Sequence, residues 1–211
     1  PSPDTIRAGA DPDEGVEPRQ KGFGDLVSYT DKLVGRIADE LDRLGLRRNT
    51  LLVFTGDNGT DRRITSRLGD RLLRGGKTTL TEAGTRVPLV ASWPGSAPEG
   101  RVVPDLVDFS DFLPTLLEAA GVALPAGYAI DGRSFLPQLR GEKGQARDWV
   151  YRHLGKAWFI RTPQHRLDSD GRLWDLAEDA YEPVLAKQTP ATTAVRQQLS
   201  TVVERLHGDS P

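Results

Sequence analysis

The chain contains no cysteine, no methionine and only three histidines in 211 residues. The missing cysteine excludes disulfides, thiolate metal sites and cysteine nucleophiles within these residues, without identifying a redox compartment. The missing methionine leaves no initiator. Processing is the ordinary explanation, and a chain beginning partway through a gene is the sharper expectation. No apolar run approaches the roughly 20 residues needed to span a bilayer, and no signal peptide is visible. Neither charge sign dominates: 28 Lys and Arg stand against 30 Asp and Glu, a net charge of −2. Nucleic acid bound on a basic face is therefore not expected.

What is present is the composition of a globular chain long enough to bury about 70% of its unfolded surface. Residues 1–22 are rich in Pro, Gly and charge and read as a flexible lead-in. From Asp25, a plausible N-cap, the residues Leu26, Tyr29, Leu33, Ile37, Leu41 and Leu44 recur at helical spacing. Gly45 stands where a left-handed residue would end that helix. The apolar run Thr50–Thr55 predicts a strand covered on both faces, as in a parallel sheet. Val87–Trp93 is a second candidate strand, its pairing limited near the start by Pro88. Ser110 is read as the cap of a helix over Asp111–Ala120 that ends at Gly121, with Pro114 tolerated in its first turn. A short helical turn is expected over Ser134–Leu139.

Beyond residue 145 the pattern changes. Trp149–Tyr151, Ala157–Ile160 and Arg172–Trp174 are short, aromatic and separated by turn residues, which predicts a small antiparallel sheet. Val195, Leu199, Val202, Val203 and Leu206 predict a closing helix over Thr192–Leu206. The fold class read from this order is α/β, with an α/β core over 23–145 and an antiparallel subdomain with its closing helix over 146–211.

Two segments can carry chemistry. Thr55-Gly56-Asp57-Asn58-Gly59 follows the best strand, at the carboxyl end where ligands bind in open α/β sheets. Asp57 and Asn58 supply a carboxylate and an amide carbonyl, hard oxygens suited to Ca²⁺ or Mg²⁺. Alone, Asp-Asn-Gly is also an ordinary turn. Gly75-Gly76-Lys77-Thr78-Thr79 combines backbone that an anion can approach with an ammonium suited to sulfate or phosphate. It is not a P-loop, because Arg71 stands where the first glycine is required. Alone, Lys77 also reads as a solvated loop lysine.

The order of these segments resembles the sulfatase family of the alkaline-phosphatase superfamily. LLVFTGDNG, GGKTT and TEAGTRVP follow one another, then VDFSDFLPTLLEAAGV, the Asp131–Leu136 run DGRSFL, and DGRLWDLAEDAYEPV. The likeness spans roughly residues 22–185 and covers the C-terminal part of that family's fold. It implies Asp57 and Asn58 as ligands of the active-site divalent cation, usually calcium. It implies Lys77 as the group that contacts the sulfate oxygens and stabilises charge on the leaving oxygen. Arg86 matches a family arginine, with a role read as structural or at the rim of the site. Ala83 replaces the first of a paired glycine, Asp61-Arg62-Arg63 stands where many members carry a histidine, and Ala180 replaces a proline.

The family's nucleophile is a formylglycine made from Cys or Ser in a C/S-x-P-x-R motif, and neither version is present. Two early aspartates and a histidine of the family site are also missing, and His153, His165 and His207 read as surface residues of the distal sheet and tail. The expectation is a sulfatase portion, inactive alone, that binds calcium weakly or not at all. Alternatives are a phosphodiesterase or phosphatase of the same superfamily, against which Asn58 argues, or a non-catalytic interaction module. Sheet edge and face left exposed without the family's N-terminal strands predict an oligomer, a partner or a chain clipped after folding. Family analogy implies an exported or lysosomal location.

Overall fold

A computed structural model describes residues 16–124 and 126–208. It divides into two compact units, one formed by residues up to 79 together with 83–99, the other by 80–82 together with residues from 100 onward.

The first unit opens on helix α1, Val16–Arg43. It starts nine residues before the expected cap, so Asp25 lies inside it, and only residues 1–15 of the expected lead-in fall outside the described chain. Pro18 sits in the first turn, where a missing N–H costs nothing, and the polar run that follows carries no apolar period to betray a helix. The C-terminus is as expected. Gly45 has φ +70°, its N–H donates to the Asp42 carbonyl at 3.0 Å, and the Leu46 N–H donates to Leu41 at 2.9 Å. That pair of bonds is a Schellman closure.

Strand β1 (Leu52–Thr55) pairs with β4 (Leu89–Ser92), in register Phe54 with Val90. The pairing is antiparallel and the sheet has two strands, which corrects the expectation of a parallel sheet. Among the described residues Phe54 and Val90 on one face remain 37% and 58% exposed, whereas Val53, Leu89 and Ala91 on the other are half-buried. Between them runs a hairpin that the sequence reading missed: β2 (Thr65–Leu68) and β3 (Arg71–Arg74), joined by Gly69-Asp70. Gly69 at φ +59° is a first turn residue of the type hairpins favour. Helix α2, Glu82–Thr85, is a single turn.

The second unit is built on a buried carboxylate. Asp108 caps a 3-10 turn over Phe109–Asp111, accepting from the Ser110 N–H at 2.9 Å, while Asp111 accepts from the Asp108 N–H at 2.8 Å. Asp108 therefore replaces Ser110 as the cap. Helix α3, Phe112–Ala119, continues directly and closes near Gly121, whose φ is +67°. Asp111 is 1% exposed and also accepts from the Arg133 N–H at 2.7 Å and from Arg147 Nε with both oxygens, at 2.7 and 2.8 Å. Gly132 is required here, because a Cβ on it would lie 1.9 Å from the Ser110 carbonyl oxygen. Helix α4 is the short turn Leu136–Leu139.

The antiparallel sheet expected beyond residue 145 is present as a five-stranded meander. Its strands are β5 (Val150–Leu154), β6 (Ala157–Arg161), β7 (His165–Asp168), β8 (Leu173–Asp175) and β9 (Val184–Leu185). Closing helix α5, Pro190–Gly208, places Leu199 and Val203 against Ile160, Leu167 and Leu173 to form the core. Arg161 and Glu82 make a buried ion pair at 2.6 Å. No helix among the described residues is long and apolar enough to cross a membrane.

Candidate functional site

The two sequence-predicted segments are packed against each other, backbone on backbone. Asp57 and Asn58 occupy the loop leaving β1, and Lys77 occupies the loop leaving β3. The Lys77 N–H donates to the Thr60 carbonyl at 2.9 Å, two residues past Asn58, and the Gly75 N–H donates to Ile64 at 2.9 Å. A third segment joins them, since the Gly59 N–H donates to the Gly84 carbonyl at 2.9 Å.

Glycine is what permits this approach. A Cβ on Gly59 would lie 1.8 Å from the Ala83 oxygen, one on Gly75 would lie 2.2 Å from the Asp61 oxygen, and one on Gly84 would lie 2.3 Å from the Thr79 oxygen. No real Cβ tolerates such distances, so each glycine is fixed by its neighbour's backbone. The close contact of the TEAG turn falls on Gly84, and Ala83 contributes only its carbonyl. Close backbone approach is therefore what these three glycines supply.

Directly after Lys77, Thr78 adopts φ +68°, and no other non-glycine among the described residues has a positive φ. For a β-branched residue that is a strained conformation costing on the order of 1–3 kcal/mol. The Thr79 N–H and Oγ1 both donate to the Gly76 carbonyl, at 2.9 and 2.6 Å, and close the loop on itself.

By sequence, Asp61 marks only a departure from the family pattern. Its carboxylate accepts from the Arg63 N–H at 2.8 Å and from the Arg63 guanidinium at 3.0 and 2.6 Å. The Arg63 hydrogen bonds hold its carboxyl far below the ordinary carboxylate range, and the charge of Lys77 acts in the same direction. A carboxylate thus stays ionised beside the ammonium that the site offers. A turn makes the Asp61–Arg63 pair, and side-chain type at i and i+2 alone did not reveal it.

Asp57 is exposed and Asn58 half-buried, and their oxygens have the hard-donor chemistry a divalent cation takes. Their number falls short of a full shell. No group of three or more His, Cys, Asp or Glu positioned to hold a metal occurs among the described residues. The histidines lie where expected: His153 on β5, His165 on β7 and His207 on α5. His153 and His207 are exposed, whereas His165 is half-buried. The His207 Nε2 is 2.9 Å from the Tyr151 hydroxyl.

Comparison with known proteins gives two family matches, "Sulfatase" over residues 11–122 and "N-sulphoglucosamine sulphohydrolase, C-terminal" over residues 76–209. The chain is similar to steryl-sulfatase of Mus musculus, 39% identical over 162 residues, covering 74% of this chain and 26% of that one. It is 42% identical over 130 residues to arylsulfatase A of Homo sapiens, covering 61% and 25%. A crystal structure of a sulfatase from Pseudoalteromonas sp. superposes with a TM-score of 0.62 over 87% of this chain and 42% of that one, at 21% identity, which shows a shared fold. The chain spans about a quarter of the length of the curated relatives it matches.

Proposed function

Since the chain belongs to the sulfatase family, whose model matches more than half of it, we propose that Asp57, Asn58 and Lys77 form one wall of a site that hydrolyses sulfate esters. The observation that carries this reading is the interlocking of three loops by Gly59, Gly75 and Gly84. It gives Lys77 a fixed backbone position beside the loop of Asp57 and Asn58. Asp57 and Asn58 would hold a divalent cation, calcium by family analogy, and that ion would supply positive charge to the sulfate oxygens. Lys77 supplies the second positive charge and stabilises the leaving oxygen as its bond to sulfur breaks.

The residues present do not supply a nucleophile. There is no Cys and no Ser-x-Pro-x-Arg to become formylglycine. The chain by itself is therefore expected to be inactive and to hold calcium weakly, because two oxygens are few against the six to eight that calcium takes. Complete chemistry would need formylglycine and further carboxylates on a complementary segment of sulfatase fold. Phe54, Val90, Leu33 and Ile37 leave exposed apolar surface for such a segment or for a second copy. An exported or lysosomal location goes with the same family analogy.

The test uses purified chain and 4-nitrophenyl sulfate in millimolar calcium. No turnover is expected, with weak binding that Lys77→Ala lowers at least fivefold. Turnover, or equal binding by Lys77→Ala, contradicts the assignment, and preference for 4-nitrophenyl phosphate over the sulfate would favour a phosphoesterase.

A further inference from the structure

The near-neutral charge of the whole chain conceals a local imbalance. Over residues 61–77, Arg62, Arg63, Arg67, Arg71, Arg74 and Lys77 stand against only Asp61 and Asp70. These residues are the β2–β3 hairpin and its two feet, and they lead directly from the Asp57–Asn58 loop to Lys77.

The fold sorts these cations. Arg63 is consumed by Asp61, at 2.6 Å. The register pairs Thr65 with Arg74 and Arg67 with Leu72, so these four side chains share one face, and Arg67 and Arg74 are diagonal neighbours there, with backbones roughly 7–8 Å apart. On that face Arg67, Leu72 and Arg74 are exposed and Thr65 is half-buried, whereas on the other face Ser66, Arg71 and Leu73 are half-buried and Leu68 is exposed. Arg62, Arg67 and Arg74 make no ion pair among the described residues.

The hairpin is also anchored. Arg74 Nε donates to the Arg62 carbonyl at 2.9 Å, the Gly75 N–H donates to Ile64 at 2.9 Å, and the Gln20 side-chain amide bonds both the N–H and the carbonyl of Thr65. Lys77 follows Arg74 by three positions, so chain reach limits their backbones to about 10 Å apart. At physiological salt the Debye length is about 8 Å. An anion seated at Lys77 therefore has the Arg74 backbone no more than slightly over one Debye length away, close enough for one multiply charged molecule to span both.

We infer that the exposed face of the β2–β3 hairpin, Arg67 and Arg74 with Arg62 at its foot, binds a second anionic group of the substrate, and so selects multiply sulfated molecules over monosulfates. The inference rests on the reading of Lys77 as the group that meets the scissile sulfate. Guanidinium forks suit this task, because each can give two parallel hydrogen bonds to a sulfate or carboxylate. Leu72 between them offers apolar surface to the body of the molecule.

The probe is a short dextran sulfate, with unsulfated dextran as blank and 4-nitrophenyl sulfate as monoanion, each titrated against the purified chain at several salt concentrations. Dextran sulfate is expected to bind tighter than the monosulfate and to weaken steeply with salt, as counterion release requires. Arg67→Ser with Arg74→Ser is expected to lower dextran sulfate affinity about tenfold, at least fivefold more than monosulfate affinity, and to flatten the salt slope. The charge-matched control, Arg36→Ser with Arg205→Ser on exposed helix positions, is expected to change it less than twofold. Equal losses in both pairs, or no binding of dextran sulfate at all, overturn the hairpin assignment. Loss of monosulfate binding in Lys77→Ala is read separately, so a failure of the sulfate site and a failure of the hairpin give different results. Circular dichroism confirms that each variant is folded.

Discussion

Gly59 carries more of the site than its lack of a side chain suggests, because the Ala83 carbonyl occupies the volume a Cβ would need. Gly59→Ala is expected to destabilise the chain by about 3 kcal/mol, since the clash is with backbone and no flexible side chain can yield. A shift of the urea midpoint measures it. Thr78 makes the opposite case. Its φ of +68° is strained, and Thr78→Gly removes the strain while loosening the residue that follows Lys77. The expected result is a stability gain of up to about 1 kcal/mol together with weaker binding of 4-nitrophenyl sulfate. At this scale the sequence was informative about donor type. Asp57, Asn58 and Lys77 stood out as hard oxygens and an ammonium flanked by glycine. The Asp61–Arg63 pair did not stand out, because it depends on a turn that residue type alone does not specify.

Among the elements, legibility followed periodicity. Helix α5 and three strands of the late meander were readable, because Leu199 and Val203 recur at helical spacing and β5, β6 and β8 carry aromatics between turns, whereas β7 and β9 have no Phe, Trp or Tyr to mark them. The start of α1 was not readable, since its first residues are polar, and neither was the β2–β3 hairpin, whose strands Thr-Ser-Arg-Leu and Arg-Leu-Leu-Arg show no apolar alternation and bury no residue fully. The Gly69-Asp70 turn was the available signal. The knot around Asp111 was also hidden, because its partners lie 22 and 36 residues away. Asp111→Ala would strand the Arg147 guanidinium and two backbone N–H groups in a buried place, and a loss of 3–5 kcal/mol is expected, read by thermal unfolding. Its neighbour Asp108 gives a pH signature. Burial alone would raise its carboxyl, but the Ser110 N–H and the Arg152 guanidinium outweigh burial and hold it below its ordinary value of 3.8. A depressed carboxyl contributes stability above the unfolded value and loses it as pH falls through the folded one. Stability is therefore expected to begin falling below about pH 4, and Asp108→Asn is expected to flatten that fall.

For the whole molecule, the family and its α/β class were legible from six ordered motifs, whereas strand direction was not. A continuous apolar run suggested a covered, parallel strand, but β1 and β4 pair antiparallel with Phe54 and Val90 open to solvent. That surface leads to an expectation of self-association, which light scattering tests. Phe54→Thr with Val90→Thr should lower the apparent mass if this face is the contact, and an unchanged mass places the contact elsewhere. The central claim, that the loops of Asp57–Asn58 and Lys77 form one anion-binding wall, has a more direct test. Backbone amide resonances of the ¹⁵N-labelled chain, titrated with sulfate in the presence of calcium, report which residues the anion meets. Asn58, Gly59, Lys77 and Thr78 are expected to shift together on one binding curve, and Lys77→Ala to abolish it. Shifts confined to other residues, or a curve unchanged by Lys77→Ala, would contradict it.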